Sequence, residues 1–120
     1  MIDNIPVKYD SYMDPECIPL CAAINELDGF ATFESCCGHG KKPFWIWLDI
    51  DKFDPTDPIF YELIRAFNPG YGGEVGWRVI LDHIEAIPER VILWIEGPPG
   101  AYESSYKIAD YIGRVCKWSR

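Results

Sequence analysis

Phe30-Ala31-Thr32-Phe33-Glu34-Ser35-Cys36, a six-residue connection, and then Pro43-Phe44-Trp45-Ile46-Trp47-Leu48-Asp49-Ile50 form the stretch that decides the fold. Both runs are rich in β-branched and aromatic residues, which suit a pleated, half-buried surface, so each reads as a strand. The connection, Cys37-Gly38-His39-Gly40-Lys41-Lys42, suits a hairpin or a broad binding loop. In the second run Trp45 and Trp47 fall on one face and Phe44, Ile46 and Leu48 on the other, so both faces of the sheet are apolar.

Upstream, Asp14-Pro15 starts a helix, with Asp14 as N-cap, Pro15 at the first helical position and Glu16 in the acidic first turn. Ile18, Leu20, Cys21, Ile24 and Leu27 follow at helical spacing, and Asp28-Gly29 ends the run. Residues 1–13 have no clear period and read as an irregular lead-in. Downstream, Asp51 to Pro58 is a turn, and Thr56 caps a second helix through Phe67 with Ile59, Phe60, Leu63, Ile64 and Phe67 on one face. Asn68-Pro69-Gly70 stops it and Tyr71-Gly72-Gly73 is a link. Val75 to Leu81 and Arg90 to Glu96 read as two more strands joined around Pro88-Glu89. After the break Gly97-Pro98-Pro99-Gly100, Ala101 to Trp118 has the 3.6 period of a third helix.

The order α-β-β-α-β-β-α predicts an α+β fold: one domain over 1–120, with a four-stranded, mostly antiparallel sheet and helices on one face. The other face carries aromatics among Trp45, Trp47, Trp77 and Trp94. Its expected cover is a second subunit, giving a homodimer or higher homo-oligomer, or a ligand; the alternative is the chain's own segments, such as the lead-in.

A chain of 120 residues, 48% apolar and 15% aromatic, can bury a core without staples. No run reaches the roughly 18 apolar residues of a membrane span, so no membrane partner is expected. Met1 to Lys8 has neither a basic start nor an apolar segment, which points to the cytoplasm, and five cysteines in that setting read as reduced thiols. A net charge of −8 removes the usual electrostatic footprint of a nucleic-acid binder. Lys41 and Lys42, with Lys52, Arg65 and Arg78, remain as candidates for a local basic pocket.

The connection holds the densest chemistry. Gly38 and Gly40 permit positive φ, and successive N–H groups there can form a concave anion site. With His39, Lys41 and Lys42 beside it, the loop suits a small anionic or nucleotide-like molecule; the plain alternative is a tight glycine hairpin with solvated lysines. Gly100 and Ser104, at the start of the last helix, offer a second anion-facing element, against the reading of an ordinary Pro-Gly turn. Cys17 and Cys21, one helical turn apart, could join Cys36 and His39 in a zinc site. Adjacent Cys36 and Cys37 point to opposite faces of a strand, so one of them is expected to be buried as a small hydrophobe. Nucleophilic catalysis by Cys36 or Cys37 with His39 is a further reading, although the sequence identifies no orienting acid. Asp49, Asp51, Asp54 and Asp57 read as a solvated turn, and His83 as a structural histidine.

Thr32-x-x-Ser35-Cys36-x-Gly38-His39, preceded by a helix ending Ile24-Asn25-Glu26-Leu27, resembles the signature of the wybutosine-synthesis tRNA methyltransferase family over about residues 18–48. Ser35, Cys36 and Gly38 match its Ser-Cys-x-Gly, and Thr32 stands where a hydroxyl is common. His39 replaces an Arg, Glu34 and Cys37 replace small hydroxyl residues, and this chain is much shorter. The resemblance implies methyl transfer from S-adenosylmethionine, with the motif near the active site. The pattern is also similar to that of small uncharacterised proteins of bacteria and their viruses. The expectation is therefore a binding protein that holds its ligand through Thr32, Ser35, Cys36, Gly38, His39, Gly40, Lys41, Lys42, Gly100 and Ser104, for example to sequester a nucleotide signal. A methyltransferase-like enzyme is the alternative.

Overall fold

The two strand-forming runs on either side of the Cys37 to Lys42 connection are neighbouring antiparallel strands, β1 (Phe30–Cys36) and β2 (Phe44–Ile50). The computed structural model describes residues 14–50, 56–70, 74–84 and 87–116, with only the backbone of 83, 84, 87–90, 115 and 116. The lead-in, most of the Asp51 to Pro58 turn, the Tyr71-Gly72-Gly73 link, the His83 side chain and the end of the last helix lie outside the described residues. With β3 (Arg78–Ile84) and β4 (Ile87–Gly97) the strands form one antiparallel sheet in the order β1-β2-β4-β3. The helices are α1 (Ile18–Asn25), entered through a 3-10 turn over Pro15–Cys17, α2 (Pro58–Arg65), and α3 (Tyr102–Tyr111), which continues into a π turn over Ile112–Cys116. The α-β-β-α-β-β-α order is the one the sequence predicts. Among the described residues no helix is long and apolar enough to cross a membrane.

Period two in β2 sets the layers. Phe44, Ile46, Leu48 and Ile50 are buried, with Leu93 and Ile95 of β4 beside them, and meet Leu20 and Ile24 of α1, Leu63 of α2 and Ile108 of α3 in one core. Each such side chain contributes about 1.5–3 kcal/mol relative to leaving it in water. α1 and α3 also pack on each other.

Several boundaries differ from the sequence expectation for physical reasons. The cap of α2 is Asp57, whose carboxylate accepts the Ile59 N–H at 3.0 Å, rather than Thr56. β3 starts at Arg78, leaving Val75 exposed, and β4 extends back through Pro88 and Glu89. The register shift between His83 and Ile84 makes an irregularity there. Proline, which has no N–H for the ladder, is tolerated at such a position.

Trp77 is also corrected. It precedes β3, so strand alternation does not apply to it, and it lies in the helix-side core between Phe44 and Phe67, at ring separations of 5.5 and 5.6 Å. Its Nε1–H donates to Ser104 Oγ at 2.8 Å. The open face keeps Trp45, Trp47 and Trp94, with Trp47 4.9 Å from Trp94 and 5.5 Å from Trp45. A bulge between Thr32 and Glu34 brings Phe33 onto Trp47, 6.0 Å away.

Gly97 leaves room for the Trp77 ring, since a β-carbon there would lie 2.7 Å from its atoms. Gly97→Ala should cost about 1–3 kcal/mol by overpacking. Ser104→Ala should cost about 1–3 kcal/mol by leaving the indole N–H unpaired. Urea midpoints read both, and a neutral Gly97→Ala would contradict this placement of Trp77.

Candidate functional site

The β1–β2 connection folds as a tight turn in which three consecutive residues take positive φ: Gly38 at 76°, His39 at 54° and Gly40 at 79°. Only glycine adopts this region freely, and a side-chain-bearing residue pays roughly 1–2 kcal/mol for it. The turn closes on the Gly38 carbonyl, which accepts the N–H groups of Lys41 at 3.1 Å and Lys42 at 3.0 Å. At Gly38 a β-carbon would lie 2.7 Å from the Pro43 carbonyl oxygen, so the backbone itself excludes any other residue.

Asp14 reaches this turn from the start of the first helical segment. Its backbone takes the N-cap position and its carbonyl accepts the Cys17 N–H, but its carboxylate makes no cap bond. Instead Oδ2 accepts the Cys37 N–H at 2.9 Å, across 23 residues of sequence. That backbone N–H, helped by the neighbouring thiols and His39, holds the Asp14 carboxyl below its ordinary value of 3.8 against the opposing effect of burial. The Gly38 N–H faces Cys36 Sγ at 3.4 Å and the His39 N–H faces Cys37 Sγ at 3.3 Å. The concave set of N–H groups expected to receive a ligand anion is therefore already turned to the chain's own carboxylate and sulfurs.

The imidazole sits at the centre of the group. His39 Nε2 is 4.0 Å from Cys36 Sγ and 4.0 Å from Asp14 Oδ2, and Nδ1 is 3.6 Å from Cys37 Sγ. Its side chain is 71% exposed. Cys37 is buried, as expected of one member of the pair, and burial pushes its thiol up; the Tyr102 hydroxyl lies 3.9 Å from that sulfur and closes the turn from the start of α3. Cys36 is half-buried, and Lys41 and Lys42 are exposed at the rim.

The remaining predicted residues lie deeper. Thr32 is 1% exposed; its N–H donates to Asn25 Oδ1 at 2.7 Å and its hydroxyl accepts from Asn25 Nδ2 at 2.8 Å. That clamp of α1 on β1 accounts for both residues structurally. Ser35 lies beside the thiols of Cys17 and Cys21. Those two thiols are in the core, and burial pushes Cys17 up and Cys21 up to about 11. Among the described residues the potential metal-ligating group is Asp14, Cys36 and His39, without Cys17 or Cys21. Ser104 is buried on Trp77, and Gly100, at φ 75°, accepts the Tyr102 N–H at 2.8 Å in the turn into α3.

Two site residues escaped the sequence reading. Asp14 looked like a helix cap, and Tyr102 like one of several aromatics on a helix; neither carries a local signal of a partner so distant in sequence. No family model matches the chain, and neither a curated protein nor a solved structure does.

Gly38→Ala should cost about 2–4 kcal/mol, adding a clash with Pro43 to the left-handed penalty. Gly40→Ala, whose β-carbon would meet only the Tyr102 hydroxyl at 3.8 Å, should cost about 1 kcal/mol. Equal losses in chemical denaturation would contradict the turn geometry. Asp14 also predicts a pH effect. Its folded value lies below the unfolded one, so its stabilisation is complete above the ordinary value of 3.8 and lost as pH falls through the lower folded value. The stability gap between the wild type and Asp14→Asn should thus narrow on acidification below that value; a constant gap would contradict the assignment.

Proposed function

We propose that the protein binds a small anionic or nucleotide-like molecule at the mouth formed by Cys36, His39, Gly40, Lys41 and Lys42, with Asp14 and Tyr102 supporting the turn. The observation that carries this reading is His39: a non-glycine residue at φ 54°, side chain exposed, held in a strained backbone by contacts from the start of α1, the start of β2 and α3. Strain of this kind persists where neighbouring structure over-determines it, and it concentrates at ligand sites. Two exposed ammonium groups next to it favour an anionic partner.

The role is retention rather than conversion, for instance sequestration of a nucleotide signal. One candidate acid/base carboxylate has a structural role, Asp57 as the cap of α2; Asp49 is not part of a solvated turn but lies half-buried within β2, on the sheet's open face and away from the loop. The reading includes a homodimer formed through that face, where Phe33, Ile80 and Trp94 are exposed and, among the described residues, Trp47 Nε1 is buried without a hydrogen-bond partner.

Native mass spectrometry of the full chain, offered mixed ribonucleotides and S-adenosylmethionine, tests this. The expected result is a dimer retaining an intact ligand. Methyl transfer from S-adenosylmethionine would replace binding by the methyltransferase-like activity that the loop motif implies. His39→Gly separates function from fold, because glycine relieves the strained φ: stability should hold or rise by up to about 1 kcal/mol while retention falls. Undiminished retention in that variant would remove the site from the loop.

A further inference from the structure

The loop mouth gathers three donors of different chemistry. One carboxylate oxygen of Asp14, the thiol of Cys36 and the imidazole of His39 all lie within 4.8 Å of one another. The same ring nitrogen, Nε2, faces both the thiol and the carboxylate at 4.0 Å. In a nucleophile–histidine–acid relay the thiol and the acid sit on different nitrogens; the accessible thiol, Cys36, does not meet that condition, and Cys37, which faces the other nitrogen, is buried in the turn. Two partners converging on one nitrogen is instead what a shared central atom requires.

The separations suit such an atom. Zinc holds S, N and O ligands at about 2.0–2.3 Å, so tetrahedral neighbours lie roughly 3.5 Å apart. A contraction of about half an ångström at the tips of side chains would bring both His39 separations to that value, and the thiol and carboxylate, within 4.8 Å of each other, would close on the same centre. Each donor also has an orienting contact of its own. The Cys37 N–H holds Asp14 Oδ2, the Gly38 N–H faces Cys36 Sγ, and His39 Nδ1 faces Cys37 Sγ at 3.6 Å. Contacts of this outer kind fix the tautomer and direction of metal ligands.

We propose that Asp14, Cys36 and His39 form a mononuclear site for a borderline divalent cation, zinc above all, with a fourth position open to an anionic group. A thiolate–imidazole–carboxylate set selects zinc over magnesium or calcium, which take oxygen ligands. Three protein ligands with an open position is the arrangement of zinc sites that act on or hold a substrate. The exposure of His39 leaves that position reachable, with Lys41 and Lys42 near it. The metal set stands on its own geometry; that the open position takes the bound molecule rests on the ligand-binding reading above.

Titration of the reduced full chain with Co²⁺ tests the site. The expected result is one equivalent bound with a thiolate-to-cobalt charge-transfer band, displaced by Zn²⁺. Asp14→Asn, Cys36→Ser and His39→Ala should each weaken Co²⁺ at least about tenfold, whereas Cys17→Ala should leave it unchanged. Absence of the band, or its loss in Cys17→Ala with Cys36→Ser silent, overturns the proposal. X-ray absorption of the zinc-loaded wild type needs no variant: one sulfur with nitrogen and oxygen donors supports the set, and two or more sulfurs overturn it. Inorganic phosphate should shift the visible bands of the cobalt form; unshifted bands remove the open position. A nucleotide retained by metal-free protein would keep the ligand reading and overturn the claim that the open position takes the bound molecule, and metal bound without any retained small molecule would keep the metal set and discard the ligand reading.

Discussion

The hydrogen bond from the Cys37 N–H to the Asp14 carboxylate is the contact on which the site depends. It ties the start of the first helix to the tip of the first hairpin, so the hairpin turn and the helix cover are fixed together. It also decides the electrostatics of the loop. A carboxylate held ionised among two thiols and an imidazole fills the concave N–H set from within, and what remains at the surface is a group of electron-pair donors rimmed by two lysines. A ligand at this loop would therefore meet side chains, since the backbone donors are already engaged.

The sheet imposes the second constraint. Period two in β2 makes both of its faces apolar, but only one can receive helices. The face with Phe44, Ile46 and Leu48 wins because α1 and α3 supply matching aliphatic surface and Trp77 fills the gap left by Gly97. The opposite face, where the Trp47 indole contacts those of Trp45 and Trp94, is bordered by Glu34 and Glu96, the latter paired with Arg78 at 2.7 Å. The exposed ammonium groups of Lys41 and Lys42 stand instead at the loop end of the hairpin, which is why the proposed anionic ligand is assigned there.

Local pattern made much of this legible. The limits of β1 and, to within one residue, β2 follow from strand-forming side chains bounded by glycine and proline, and the element order follows from alternating periods. Pattern failed where a residue's role is set by a distant partner. Asp14 has the sequence of a cap and its backbone behaves as one, yet its carboxylate is used 23 residues away. Thr56 and Asp57 are both good caps, and the choice between them depends on which carbonyl and side chain meet the first free N–H, here that of Ile59. Trp77 could not be placed by alternation because it lies outside a strand. Thr32 and Ser104 read in sequence as ligand-binding hydroxyls; pairing with Asn25 and with Trp77 turns them into buried, satisfied groups.

The cysteines show the same limit, and they decide which chemistry is open to the molecule. By spacing alone, Cys17 and Cys21 are as good a ligand pair as any, one turn apart on a helix. The fold places both in the apolar core, where desolvation disfavours the thiolate that a metal or an electrophile would need. Cys37 is buried in the turn and is disfavoured for the same reason. Of the four described thiols, Cys36 is the one with solvent access, and it is also the one that shares the exposed imidazole nitrogen with Asp14. Burial thus removes three sulfurs from reactivity, and the fourth can act only in company with a histidine and a carboxylate. Any chemistry at this loop would consequently be mixed-donor chemistry.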